Sequence, residues 1–372
     1  MSQSDAYFMR SAINIARRGL GTTWPNPSVG AVIVRPGKPS EVLARGWTMP
    51  GGRPHAERVA LDKLSGQAKD CTLYVTLEPC SHVGQTQPCT DAIITSGIKR
   101  VVCSIEDPDS RVSGAGLAKL RASGIEVECG ILADEGRQLA LGHIQRATQN
   151  RPLVQLKFAV GKDGLVPRGS GKPNWITGQE ARAHGHLLRA RTDAIMVGSG
   201  TLKADDPELT CRLPGMAHVS PVRIALSSKG QLDANSQLLN SHEIAPLWVV
   251  KRNEDSIDRV PEKLSEHYET IHVSSDPDQE VLNLESVLSE LAKRGITRLL
   301  VEGGPTLANS FWDLGFVDEV YVYQGPENTG PDAIRPFDVR GIDIIEQDDL
   351  FEICNQRFIG NDVLRIYRRK QA

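Results

Sequence analysis

Three residues stand in an order and spacing that suit a catalytic metal: His55, Cys80 and Cys89. His55 belongs to Pro54-His55-Ala56-Glu57, Cys80 closes Glu78-Pro79-Cys80, and Cys89 follows Pro88, with eight residues between the two cysteines. One imidazole and two thiolates suit zinc. Three protein ligands leave its fourth position for water, whose pKa the metal lowers to about 7. Glu57 stands two residues beyond His55, on a different face of any helix that carries both. That placement suits a proton carrier better than a further ligand. Such a carboxyl can take a proton from water and deliver it to a ring and a leaving nitrogen, which contributes roughly 10² to 10⁴ in rate.

The elements around these residues must hold them together. Prolines favour the first position of a helix, so Pro54 and Pro79 are expected to open helices and to place His55 and Cys80 in first turns. There free N–H groups and the positive end of the dipole favour a thiolate. Apolar spacing predicts a helix from Pro54 to Leu64 and a strand from Thr72 to Leu77 leading into Cys80. An opening amphipathic helix through Phe8, Met9, Ala12, Ile13 and Ala16 is expected behind a Ser4 cap and before Gly19 and Gly21, followed by a strand from Val29 to Val34. Helix then strand recurs at Asp91 to Ser96 and Arg100 to Ile105, and again at Leu117 to Ala122 and Ile125 to Cys129, with Gly97 and Gly124 as stops. This alternation predicts a helix-covered α/β sheet.

A helix from Asp134 to Ala147 gives way to Thr148-Gln149-Asn150-Arg151-Pro152, and a strand-rich pattern begins at Leu153, so a domain boundary is expected near residue 150. Strands are expected at Leu153 to Ala159, Ala194 to Val197, Val222 to Leu226, Leu247 to Val250, Thr270 to Val273, Arg298 to Val301, Glu319 to Tyr323 and Val363 to Tyr367. Helices at Gln179 to Arg189, Leu284 to Arg294 and Thr306 to Leu314 separate some of them. The length of 372 residues suits two domains, 1–150 and 151–372. An apolar fraction of 40%, a charged fraction of 24% and a net charge of −3 describe a folded protein without a generally basic, nucleic-acid-binding surface. A small-molecule substrate is expected. The N-terminus lacks the pattern of a signal peptide, and no apolar run approaches membrane-spanning length. With seven cysteines, an odd number, free thiols and metal ligands fit better than a disulfide framework. The expected address is cytoplasmic, with no membrane partner.

His-x-Glu followed by Pro-Cys and a second cysteine is the signature of zinc deaminases acting on nucleobases, here with a longer loop between the cysteines. Beyond it, the chain resembles the bifunctional riboflavin-biosynthesis deaminase/reductase family over nearly its whole length. The resemblance rests on Asn26 to Val34 (NPSVGAVIV), HAE, VTLEPCSHVGQTQPC, EDPDSRVSGAG, WITG, LLRARTDAIMVGSGTLKADDPELTCR and VEGGPTL. It implies a cytidine-deaminase-like three-layer domain followed by a dihydrofolate-reductase-like α/β domain. It also implies two consecutive reactions: hydrolytic removal of the 2-amino group from a diaminopyrimidinone ribosylamino 5′-phosphate, then reduction of the ribose to a ribityl chain with NADPH. The matching positions assign Glu57 to catalysis, His55, Cys80 and Cys89 to zinc, and Asn26, His82, Arg189, Leu209, Arg212 and Glu302 to substrate, the arginines as bidentate phosphate donors. NADPH falls to Ala159, Trp175, Thr201, Asp205, Gly304, Pro305 and Thr306. A homo-oligomer, dimer or tetramer, is expected.

The chain departs from the family pattern at Gln85, where a basic residue is common, and at Gln87, where a proline is. In the second half, a serine-x-aspartate-glycine-basic stretch reads Gly161-Lys162-Asp163-Gly164-Leu165, a serine before WIT is Pro173, and a later segment reads GPENTG from Gly325. Two other readings stay open at this point. One keeps the zinc deaminase but gives it another pyrimidine or a non-catalytic second half. The other makes the metal a structural zinc in a non-catalytic protein, with His82 as the available fourth ligand.

Overall fold

The computed structural model describes the chain except residues 1–2, 39, 84–86, 110–111, 168–174, 229–231, 253–265, 275–280, 338–339 and 371–372. Two compact units make it up, Met1–Arg151 with Arg294–Thr297, and Pro152–Lys293 with Arg298–Ala372.

The first unit runs α1 (Gln3–Ala16), β1 (Gly30–Arg35), β2 (Glu41–Trp47), α2 (Ala56–Asp62), β3 (Thr72–Val75), α3 (Cys89–Thr95), β4 (Arg100–Cys103), α4 (Ala115–Ala122), β5 (Glu126–Cys129) and α5 (Ala133–Gln149). Its sheet has the order β2-β1-β3-β4-β5, with β1 antiparallel to both neighbours and β3, β4 and β5 parallel. The alternation of side chains along each strand feeds two apolar layers. Ala31, Ile33, Leu73, Val75, Val101 and Cys103 pack with Ala56, Ala60, Leu61, Ile93, Leu117 and Leu120 from α2, α3 and α4. Val32, Val34, Tyr74 and Val102 pack on the other face against Phe8, Met9, Ala12 and Ile13 of α1. The result is a three-layer sandwich, as expected, with α2, α3 and α4 on one face and α1 on the other.

The second unit runs β6 (Leu153–Val160), α6 (Gln179–Arg189), β7 (Ala194–Gly198), α7 (Ser199–Asp205), β8 (Val222–Leu226), α8 (Gln237–Asn240), β9 (Leu247–Arg252), β10 (Glu269–Val273), α9 (Leu284–Lys293), β11 (Arg298–Val301), α10 (Pro305–Asp313), β12 (Glu319–Gln324), α11 (Ile344–Gln347), β13 (Phe351–Ile359) and β14 (Asp362–Arg369). Its nine strands follow the order β10-β9-β8-β7-β11-β6-β12-β14-β13, parallel as far as β12 and antiparallel in the last two pairings.

Several boundaries differ from expectation. Ser4 lies inside α1 rather than capping it, and the helix expected from Pro54 begins at Ala56. Two strands were not expected. In β2, Arg45 and Gly46 interrupt the apolar alternation, and β13 is exposed along most of its length, so neither carries a buried-face pattern.

Candidate active sites

The ligand atoms of His55, Cys80 and Cys89 lie within 4.8 Å of one another. His55 Nδ1 is 3.7 Å from Cys80 Sγ and 3.4 Å from Cys89 Sγ. A tetrahedral zinc bonded to nitrogen and sulfur at ordinary lengths sets each N–S edge at about 3.6 Å, so these residues fit that ion. Among the described residues no further His, Cys, Asp or Glu joins the group. His82 is exposed in the loop and does not complete it. A three-ligand set leaves a position open, which suits catalysis rather than structure.

His55 is the N-cap of α2, in extended backbone. Cys89 is the first residue of α3, directly after Pro88. Cys80 corrects the sequence-based expectation: it sits in irregular chain beyond β3, and Pro79 opens no helix. The helix-terminal donor expected for its thiolate comes from elsewhere, because the backbone N–H of Cys89 donates to Cys80 Sγ at 3.4 Å. Hydrogen bonds from the Cys89 thiol, from His55 and from that N–H hold the Cys80 thiol well below its usual range, against the opposing effect of burial. The Cys80 sulfur and burial push Cys89 up in turn.

Glu57, the second residue of α2, is 4% exposed. Burial pushes its carboxyl up, with His55 and the Cys89 thiol pulling the other way. A carboxyl raised by burial beside a metal site is poised to exchange a proton. Asn26 donates from Nδ2 to the Gly52 carbonyl at 2.9 Å, which ties it to the segment entering α2 three residues before His55. Gln85 lies outside the described residues, and Gln87 is exposed.

In the second unit, Arg189 at the end of α6 meets Glu302 just beyond β11. Its Nε and Nη2 each donate to the carboxylate at 2.9 Å, and Nη1 donates to Thr210 O at 3.0 Å. The fork expected to grip a phosphate therefore holds a carboxylate. Arg212, with a side chain 46% exposed and 3.7 Å from Glu208, is the expected arginine that faces solvent. Burial alone would push Glu302 up, but the Arg189 guanidinium and the Lys157 ammonium bring it down to about 2. Burial, then Arg189 and Arg212, lower His186 to about 4, and its Nδ1 accepts the Arg212 backbone N–H at 3.3 Å.

Thr201 and Gly304 are brought together, the Gly304 N–H donating to Thr201 Oγ1 at 3.0 Å. Gly304 is the N-cap of α10 and has no side chain of its own to cap the first turn, which holds Pro305 and Thr306, an arrangement suited to an anion. Asp205 ends α7 in an exposed position, and buried Leu209 adopts a left-handed backbone, φ 61°. Ala159 on β6 is in register with Tyr323 on β12. Trp175 is exposed beneath the Arg182 guanidinium, 4.7 Å from its ring centroid.

Three residues that lead away from Glu302, Lys157, Tyr323 and His184, escaped the sequence reading. Lys157 approaches Glu302 at 3.8 Å and lies 5.8 Å from the Tyr323 ring centroid. Tyr323 Oη is 2.7 Å from His184 Nδ1, and Arg357 donates to His184 Nε2 at 2.9 Å, so the imidazole is neutral and Nδ1 carries its proton. A lysine within the apolar strand LVQLKFAV was the available signal. The departing stretches explain each other: Thr329 Oγ1 donates to Asp163 at 2.9 Å, and a Cβ on Gly161 would come within 2.3 Å of that hydroxyl oxygen. Glycine stands at 161 because a threonine from the GPENTG segment occupies the space. Pro173 lies outside the described residues.

Comparison with known proteins agrees with this geometry. The family model described as cytidine and deoxycytidylate deaminase zinc-binding region matches residues 2–105, and the RibD C-terminal domain matches residues 152–357. The riboflavin biosynthesis protein RibD of Aquifex aeolicus is 37% identical over 365 residues, 98% of each chain, and that of Escherichia coli is 37% identical over 371 residues, 96% of this chain and 98% of the other. Among solved structures, a diaminohydroxyphosphoribosylaminopyrimidine deaminase/5-amino-6-(5-phosphoribosylamino)uracil reductase of Thermotoga maritima superposes with a TM-score of 0.83 at 36% identity, covering 98% of this chain and 99% of that one. RibD of Acinetobacter baumannii gives 0.84 at 32% identity, with 99% of both chains covered. The chain belongs to the RibD family, the bifunctional deaminases/reductases of riboflavin biosynthesis.

Proposed function

We propose that residues 1–150 form a deaminase domain that removes the 2-amino group of 2,5-diamino-6-ribosylamino-4(3H)-pyrimidinone 5′-phosphate, and that residues 151–372 form a reductase domain that converts the ribosyl chain of the product to ribityl with NADPH. The observation that carries the first half is the His55, Cys80 and Cys89 triangle, sized for zinc, with buried Glu57 beside it. Zinc, when bound, supplies a water activated as a nucleophile at neutral pH. Glu57 would accept one proton of the attacking water and pass it to the ring nitrogen, then carry the second from the new hydroxyl to the departing amine, so that the water oxygen stays as the carbonyl and the amino group leaves as ammonia. Asn26 and His82 hold the substrate.

In the second half NADPH supplies the hydride. Holding the nicotinamide against the opened sugar carbon is the chief requirement, and it falls to Ala159, Trp175, Thr201, Asp205, Gly304, Pro305 and Thr306. Leu209, Arg212, Arg189 and Glu302 hold the sugar phosphate, with Arg189 acting through its grip on the Glu302 carboxylate. A cytoplasmic, homo-oligomeric enzyme is part of this reading. Among the described residues no helix is long and apolar enough to cross a membrane. The test is incubation of the purified protein with the diaminopyrimidinone nucleotide, with and without NADPH, and identification of products by mass spectrometry. Deamination alone, with NADPH untouched, would leave the second domain without its assigned reaction.

A further inference from the structure

The backbone at Asp107, Gly114, Gly116 and Leu117 is not used by the zinc chemistry, yet it encloses one carboxylate. Glu78 is 4% exposed. Its Oε2 accepts the N–H of Asp107 at 3.1 Å and of Gly114 at 2.9 Å, and its Oε1 accepts the N–H of Gly116 at 2.8 Å and of Leu117 at 3.2 Å. Among the described residues no cation pairs with it, so four backbone donors alone carry the charge. Glycines are needed on both counts that the geometry imposes. Gly114 has φ 76°, and a Cβ on Gly116 would come within 2.1 Å of the Pro79 carbonyl oxygen. The first turn of α4 thus lies directly against the peptide that precedes Cys80.

Glu78 is fastened through its backbone as well, its N–H donating to Ile105 O at 3.0 Å. Cys80, two residues on, is held by α3: its carbonyl accepts the Thr90 N–H at 3.2 Å and its sulfur the Cys89 N–H. One zinc ligand is therefore gripped between α3 and a carboxylate anchored in the start of α4. We infer that Glu78 is a positioning residue for the metal, and that the backbone N–H groups of Asp107, Gly114, Gly116 and Leu117 form an intramolecular carboxylate cradle whose task is to fix Cys80. The inference rests on the zinc reading above. A neutral amide cannot replace the carboxylate, because its NH₂ would face two N–H donors. Outer supports of metal ligands typically change metal affinity 10- to 100-fold when removed.

The experiment compares zinc release from the full-length wild type, Glu78→Gln and Glu78→Asp into an excess of a coloured chelator, together with the visible spectrum of each protein loaded with cobalt. Tyr74→Phe is the control. It removes the buried bond from Tyr74 Oη to Asp5 Oδ1 in the same unit and leaves the cradle intact. Release about 10- to 100-fold faster in Glu78→Gln, with an altered cobalt spectrum, is expected. Glu78→Asp keeps the charge but withdraws it by one methylene, and should fall between. Tyr74→Phe should release zinc at the wild-type rate even where its melting temperature drops. Wild-type release and spectrum in Glu78→Gln would overturn the inference, as would equal acceleration in Tyr74→Phe. Should Glu78→Gln fail to fold, Glu78→Asp against Tyr74→Phe decides in the same way. A wild-type protein that binds no zinc would instead overturn the reading beneath it.

Discussion

Replacing Arg189 with methionine keeps much of the apolar stem of the side chain and removes the charge that neutralises Glu302. Both 2.9 Å hydrogen bonds to the carboxylate disappear, with the 3.0 Å bond to Thr210 O. Each charge-assisted bond contributes about 1.5–3 kcal/mol net, so the pair to Glu302 accounts for about 3–6 kcal/mol. The titration of Glu302 gives a second measure. Its descent from an ordinary 4.5 to about 2 corresponds to roughly 3 kcal/mol at 1.36 kcal/mol for each pH unit. Lys157 at 3.8 Å supplies part of that, yet removing one member of a buried pair generally costs about 3–5 kcal/mol, since the other charge is left buried alone. Because the folded carboxyl is depressed, its contribution is present above pH 4.5 and fades as the pH falls from 4.5 toward 2. Hydrogen exchange of peptides from β6, β7 and β11 reads the second unit by itself. At pH 7 the opening free energy of Arg189→Met should fall by about 3–5 kcal/mol. Adding Glu302→Gln should recover a large part of the loss by removing the stranded charge. A loss below about 1 kcal/mol, or a double variant worse than the single one, would refute the reasoning.

Cys80→Ser and Cys89→Ser should each lose most of their zinc by elemental analysis, and full occupancy in both would remove them from the ligand set. Glu57→Gln should retain zinc while ammonia release falls roughly 10²- to 10⁴-fold; near-normal release would mean that another group moves the protons. Asp205→Ala and Arg212→Ala should depress NADPH oxidation and leave ammonia release intact, whereas loss of both activities would contradict the assignment of these residues to the second site. His186, lowered to about 4 by burial and then by Arg189 and Arg212, resists protonation when folded. The unfolded chain therefore takes up more protons between pH 6.5 and 4, and stability of the second unit should decline across that window. In His186→Gln the decline should be shallower, as read by the same hydrogen exchange.

The clustering of His55, Cys80 and Cys89 was legible because residue type carries the chemistry: a histidine and two cysteines in that order, with a glutamate two residues from the histidine, suit a zinc site, and the structure brings the three together. The placement of Cys80 was not. Proline permits a helix start without imposing one, and here the backbone N–H of Glu78 is bonded to Ile105 and its side chain to the backbone of Asp107, Gly114, Gly116 and Leu117. Strands with an inward face, such as β8 and β11, were read to the residue, while β13 shows no inward face to read. Lys157, His184 and Tyr323 went unnoticed for a different reason. His184 and Tyr323 are ordinary in their local windows, and even Lys157, odd within its apolar strand, acquires a role only beside a partner more than a hundred positions away.

The order of the nine strands dictates when the second unit can close during synthesis. Its first strand, β6, lies between β11 and β12, pairing Leu153 with Arg298 and Gln155 with Glu319. A ribosome that has delivered β6 must make well over a hundred further residues before either neighbour exists. All five strands of the first sheet, by contrast, lie within residues 30–129. The zinc-binding half can therefore assemble and take up its metal while β6 still waits, exposed and apolar, for its partners. Slow pairing of distant parallel strands is the step most open to aggregation. Variants that weaken β11 or β12 should accordingly lower the yield of soluble protein more than equally destabilising changes in the first sheet.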